Sequence, residues 1–187
     1  VFVCANRVYE LIRATKQILE YHQKIYKIEK LVIPLLGDFV SGSIQPELVL
    51  SNELSDSYST ILVTRLLSFL ISELKTLGIP LQLEAVTGNH GRFSEDKKQP
   101  TKNLTAKNWD WVIYETLATL FANDPQVKIN VHVGQMAHVN VFNWKYIIEH
   151  GYGVKAGKEE DLESRLRALY DDSTYREMTG LKGSSFD

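Results

Sequence analysis

The sequence predicts a layered α/β domain with helices on both faces. Long stretches with apolar residues at helical spacing alternate with short apolar runs that end in glycine, a pattern typical of helices alternating with buried strands. Near the end of the chain, three strand-like segments follow one another with turn residues between them, as in a meander. Because 187 residues suit one domain, we expect a single domain over 1–187.

The chain begins with a helix, a strand and a second helix. Apolar residues at spacings of three, four and seven predict an amphipathic helix over 5–28, and the run KLVIPLLGDF predicts a buried strand. Pro34 has no N–H to donate, so it indicates a sheet edge or a bend. After a loop with one helical turn, helical spacing returns over 57–77, and Gly78 is suited to end that helix.

A second strand, a polar loop and a third helix come next. The run IPLQLEAVTG predicts the strand, and the charged stretch over 93–103 predicts the loop. Asn108 is suited to cap a helix over 109–121, because its side chain can accept a hydrogen bond from the first turn.

The final third of the chain predicts the meander and one more helix. The predicted strands are 127–133, 136–142 and 145–151, with turns at 134–135 and 143–144. A fourth helix is predicted over 159–171, where leucines recur at helical spacing.

Composition narrows the classes of function. A net charge of −2 gives no overall basic excess of the kind that nucleic-acid binding favours. Cys4 is the only cysteine, so no internal disulfide can form, and we expect a reducing compartment, the cytoplasm. We expect no membrane span, which needs about 20 consecutive apolar residues. The chain starts at Val1 rather than Met, so we expect it to be truncated at both ends.

Three predicted strands end in a polar residue beside a glycine, in the stretches LLGD, AVTGNHG and YIIEHG. Ligands bind at the carboxyl ends of strands in α/β sheets, and glycine permits a sharp exit from the strand. The side chains delivered there are Asp38, Asn89, His90 and His150. Taken alone, Asp38 and Asn89 could be ordinary turn residues, and His150 could be a hydrogen-bonded polar residue. Together, a carboxylate, an amide oxygen and an imidazole suit a divalent ion of the Mn, Fe or Zn type.

These motifs resemble the calcineurin-like metallophosphoesterase family, whose pattern runs D-x-H, G-D-x-x-D/N, G-N-H-D/E, a lone His and G-H-x-H. Gly37-Asp38 matches the second block, Gly88-Asn89-His90 the third, and His150 the lone histidine. The resemblance covers roughly residues 5–187. It implies an α/β/β/α fold, a layered β-sandwich core with helices on both faces, and hydrolysis of phosphate esters by a water that two metals activate.

The resemblance also implies a role for each residue. Asp38 would bridge both metals, Asn89 and His150 would ligate the second, and His90 would stabilise the transition state or protonate the leaving oxygen. Arg92 follows directly and could contact phosphate. Two divalent ions are implied, Mn²⁺ first, with Fe, Zn and Mg as alternatives.

The chain departs from the family pattern at four places. The D-x-H and G-H-x-H blocks are absent, and we expect them before Val1 and after Asp187. Ser41 stands where Asp or Asn is usual, and Gly91 replaces the acid that usually orients the histidine of the third block.

The sequence therefore predicts a metal-dependent phosphoesterase, acting on a phosphodiester in preference to protein phosphate, with nucleotides or nucleic acid as the first substrate class. Basic residues after the third block support that class weakly: Arg92, Lys97, Lys98, Lys102 and Lys107. The alternative is a catalytically degraded phosphoesterase-like subunit that binds or scaffolds. A nucleotide-binding α/β domain is disfavoured, because neither glycine-rich phosphate loop is present.

Overall fold

A computed structural model of the chain describes residues 2–44, 46–93, 105–133 and 136–151. Its helices are α1 (Phe2–Gln23), α2 (Pro46–Ser51), α3 (Asp56–Lys75) and α4 (Trp109–Leu120). Its strands are β1 (Leu31–Leu35), β2 (Leu81–Ala85), β3 (Val127–Val131), β4 (Met136–Val141) and β5 (Trp144–Glu149). The predicted turn at 134–135, the predicted helix over 159–171 and most of the predicted loop over 93–103 lie outside the described residues. None of the helices in the described ranges is long and apolar enough to cross a membrane.

Three helix ends follow local chemistry. Gly78 adopts φ +68° just beyond the end of α3, and the side chain of Asn108 accepts a hydrogen bond from the backbone of Asp110 at the start of α4, so both predicted signals are confirmed. The first helix ends at Gln23 and not at residue 28 as predicted. Beyond it, Ile25 and Tyr26 are 58% and 63% exposed, so no burial stabilises a further helical turn.

The strands β1, β2 and β3 form a parallel sheet with β2 at its centre. Leu31 opposes Leu81, and Leu81 opposes Val127. Pro34 lies in β1 at the edge of this sheet, which agrees with its missing N–H. Because the strands are parallel, the loops that follow β1 and β2 leave the sheet side by side, and these loops carry the GD and GNH motifs.

One face of the parallel sheet forms the core. Alternate residues of the three strands point to this face, among them Leu83 at the centre of β2. They join a cluster that includes Ile12 of α1, Ile71 of α3 and Leu117 of α4. Burial of each such side chain contributes about 1.5–3 kcal/mol, which fixes the helices against the sheet.

The opposite face of the sheet carries a polar network around Glu84, which is only 2% exposed. Its carboxylate lies 2.5 Å from Gln82 Nε2, 2.7 Å from Asn130 Nδ2 and 2.6 Å from His132 Nε2. A buried carboxylate is stable only when such partners replace water. This network was not predicted from the sequence, although the alternation of apolar and polar residues in LQLEA was a signal for it.

The strands β4 and β5 form a separate two-stranded sheet. The predicted meander is therefore wrong in one respect, because β3 pairs with β2 and not with β4. The predicted turn at 143–144 is displaced by one residue: Phe142 takes φ +53° and β5 already begins at Trp144. The chain is a mixed α/β protein with a parallel and an antiparallel sheet, and the layered sandwich with helices on both faces stays a prediction.

Candidate metal centre

Two glycine turns meet at the carboxyl ends of β1 and β2. Gly37 and Asp38 follow β1 with φ +82° and +56°, so the chain turns back at once. A Cβ atom on Gly37 would lie 2.0 Å from the backbone nitrogen of Gly88, and one on Gly88 would lie 2.1 Å from Asp38 Oδ1. Both positions therefore require glycine, because only backbone without a side chain lets the two turns approach this closely.

The carboxylate of Asp38 joins the two turns. Its Oδ1 accepts hydrogen bonds from the backbone N–H groups of Asn89 and His90, both at 2.9 Å. Its Oδ2 lies 3.0 Å from Nε2 of His150. One oxygen therefore orders the GNH turn, while the other remains directed at the histidine.

His150 is held from behind by a backbone carbonyl. Its Nδ1 lies 2.6 Å from the carbonyl oxygen of Leu36, and its Nε2 lies 2.9 Å from Asn89 Oδ1. A carbonyl oxygen can only accept, so Nδ1 carries the hydrogen and donates it to Leu36. In a neutral ring, Nε2 then holds a lone pair.

The facing atoms of this cluster are consequently all acceptors. Nε2 of His150 meets the amide oxygen of Asn89 and Oδ2 of Asp38 without an intervening proton donor. A cation bound among the three atoms would interact favourably with all of them. Metal-ligating histidines characteristically donate their other N–H to a carbonyl or carboxylate, as His150 does to Leu36.

The spacing and exposure of these atoms fit a divalent ion. Neighbouring ligands at about 2.1 Å from an octahedral ion lie about 3.0 Å apart, and the two contacts of Nε2 are 2.9 and 3.0 Å. The side chains of His150 and Asp38 are 17% and 28% exposed, so a small ion can reach them. Among the described residues, no group of three or more His, Cys, Asp or Glu side chains is placed to hold a metal; the third donor here is the Asn89 amide.

Asp110, at the start of α4, lies beneath both turns. Its Oδ2 accepts from the N–H groups of Asp38 and Gly88, each at 2.9 Å, and its Oδ1 accepts from Phe39 at 3.1 Å. Burial raises the pKa of the Asp110 carboxyl, and the three backbone donors oppose that rise. Burial likewise raises the pKa of the neighbouring Tyr114, whose hydroxyl donates to the Val86 carbonyl at 3.1 Å.

Asn108 explains the glycine that follows the GNH motif. Its Oδ1 caps α4, and its Nδ2 donates to the Gly88 carbonyl at 2.8 Å. A Cβ on Gly91 would lie 2.5 Å from that Oδ1, so the Asn108 side chain occupies the space that any side chain at position 91 would need. The departure at Gly91 therefore has a packing cause in this chain.

The remaining predicted residues, His90 and Arg92, belong to the same turn. The backbone of His90 is tied to Asp38, and within the described part of the chain its ring makes no hydrogen bond. Arg92 is 7% exposed, and its Nε donates to the Asn89 carbonyl at 2.7 Å. Arg92 thus supports the turn that carries Asn89, and its contact with a phosphate stays a prediction.

The structure therefore brings together the side chains of Asp38, Asn89 and His150, and places His90 and Arg92 on the turn that carries Asn89. The role of Asp110 and the bond from Asn108 to the Gly88 carbonyl were not predicted from the sequence, although an N-x-D pair opening an apolar helix was a signal. Comparison of the chain with family models, with curated proteins and with solved structures gives no match.

Proposed function

We propose that this protein is a metal-dependent phosphoesterase that hydrolyses a phosphodiester or phosphomonoester. The observation that carries the proposal is that Nε2 of His150 lies 2.9 Å from Asn89 Oδ1 and 3.0 Å from Asp38 Oδ2. These donors are of the type that Mn²⁺, Fe and Zn accept, and Mn²⁺ is the first expectation.

Each residue of the site would have a distinct role in metal binding or catalysis. Oδ2 of Asp38 is the oxygen available to a metal or to a pair of metals, because Oδ1 already accepts two N–H groups. Asn89 Oδ1 and His150 Nε2 would complete the ligands from this chain. When bound, the divalent ions would supply an activated water and offset the charge of the phosphate. His90 would place its ring beside the ester and donate a proton to the leaving oxygen.

The contacts of the described residues bear less directly on the substrate class than on the metal site. A nucleotide or nucleic acid is the first candidate, and the cytoplasm is the expected compartment. Most of the basic residues that support this substrate lie outside the described residues. The alternative, a catalytically degraded binding subunit, loses part of its support because Asn108 gives Gly91 a packing cause.

The test is hydrolysis of a chromogenic phosphodiester by the full-length gene product after chelation, with and without added Mn²⁺. Asn89→Ala removes a predicted ligand, so we expect Mn²⁺ affinity to fall at least tenfold, with activity falling in parallel. His90→Ala leaves the ligands in place, so kcat should fall about 10²–10⁴-fold while Mn²⁺ affinity stays within about threefold.

A matched control is His22→Ala, which removes a histidine near the end of α1 whose ring contacts Tyr21 and Tyr26. It should leave both Mn²⁺ affinity and kcat unchanged. If the wild-type protein retains no Mn²⁺ and shows no turnover with Mn, Fe, Zn or Mg ions, the enzyme proposal is wrong and the binding-subunit alternative stands.

A further inference from the structure

We infer that Asp110 is a positioning residue for the metal centre, setting the distance between Asp38 and Asn89 without touching the ion. This inference rests on the proposed function, since it concerns the same site. Asp110 is fully buried, and its contacts are with the backbone of the two turns.

The geometry of the turns creates the need for such a residue. Gly37 and Gly88 approach so closely that the N–H groups of Asp38, Phe39 and Gly88 all point into one space. Three buried N–H groups without acceptors would drive the turns apart. The two oxygens of Asp110 accept all three at 2.9–3.1 Å.

The effect passes from Asp110 to the ligands through a short chain of contacts. Asp110 fixes the backbone of Asp38 relative to that of Gly88. The Asp38 side chain can then accept from Asn89 and His90, which keeps Asn89 Oδ1 facing His150. Partners of this kind, one shell out from a metal, typically alter metal affinity by about 10–100-fold when they are removed.

Substitution of Asp110 separates this role from simple support of the fold. Asp110→Asn can keep one oxygen on the N–H groups of Asp38 and Gly88 but sets an amide N–H₂ against that of Phe39. Asp110→Ala loses all three bonds. We therefore expect Mn²⁺ affinity to fall about tenfold in Asp110→Asn and about 100-fold in Asp110→Ala.

The matched control is Leu117→Ala, about two turns further along α4, where a fully buried leucine packs in the core. It should lower the melting temperature at least as much as Asp110→Asn while leaving Mn²⁺ affinity within about twofold.

The experiment uses the full-length gene product, with calorimetric titration of Mn²⁺ and amide hydrogen exchange in the metal-free protein. In Asp110→Asn, exchange at Phe39 should speed up more than exchange at Gly88. Equal Mn²⁺ affinity in wild type and Asp110→Asn would overturn the inference alone. An affinity loss in Leu117→Ala that matches its loss of stability would overturn it too. Absence of Mn²⁺ binding by the wild type would overturn the proposed function, and this inference with it.

Discussion

Replacement of Gly91 by alanine tests how the GNH turn and α4 are packed together. The new Cβ would lie 2.5 Å from Asn108 Oδ1, whereas the next backbone atom, Asp110 N, is 3.5 Å away. Asn108 would therefore have to move. It would lose its cap on α4, worth about 1 kcal/mol, and its bond to the Gly88 carbonyl, also about 1 kcal/mol.

The net change in the free energy of unfolding combines these two losses with one opposing gain. Gly→Ala at a backbone conformation that alanine tolerates stabilises by about 0.5 kcal/mol through the unfolded chain. We therefore expect Gly91→Ala to lower the free energy of unfolding by about 1.5 kcal/mol, or the melting temperature by about 3–6 °C. Gly91→Asp, which introduces an acid at the position where the G-N-H-D/E pattern has one, should cost at least as much and should not improve activity.

A double-mutant cycle in urea checks the cause. In an Asn108→Gly background the obstructing side chain is gone, so adding Gly91→Ala should be neutral or slightly stabilising. The coupling between the two positions should then be about 2 kcal/mol. Equal costs of Gly91→Ala in both backgrounds would refute the packing explanation.

Two further predictions use matched positions in the fold. Gly37→Ala should lower Mn²⁺ affinity more than tenfold, because its Cβ would strike the Gly88 backbone. The control Gly78→Ala also falls at a positive φ, +68° against +82°, but nothing lies within 4 Å of its Cβ, so it should only reduce stability in a thermal melt. The hydrogen bond from Lys75 lowers the pKa of Asp124 in the folded protein. The stabilisation from this pair is therefore fully present above the unfolded pKa of about 3.9, and it is lost as pH falls through the lower folded pKa. Urea midpoints of wild type and Lys75→Met should therefore differ at pH 6 and converge near pH 2; a constant difference would contradict this.

The local elements of the fold were largely predictable from sequence. Caps such as Asn108 act on residues within the same turn, and the apolar spacing of α3 repeats within a few residues. Strand pairing was less predictable. The sequence of β3 predicted the first strand of a meander, but β3 pairs with β2, more than 40 residues away. No local signal distinguishes a strand that pairs with its neighbour from one that completes a distant sheet.

The candidate metal centre shows the same difference between local signals, which the sequence carries, and long-range contacts, which it does not. Asp38, Asn89 and His150 were predicted because each follows a strand beside a glycine, which is a local pattern. Asp110 was missed because its partners, Asp38 and Gly88, lie 72 and 22 residues away and contribute only backbone N–H groups. Every residue except proline carries the same backbone N–H group, so the sequence does not mark which of these groups need an acceptor.

The sequence by itself therefore determined which side chains follow the strand ends, because this depends on neighbours along the chain, whereas the need for glycine at Gly37 and Gly88 arises from the contact between the two turns. Only the tertiary structure decided that three acceptors face one another at His150 Nε2 and that a buried carboxylate unites the two turns. Both depend on segments far apart in sequence, whose meeting is decided by burial of the shared core.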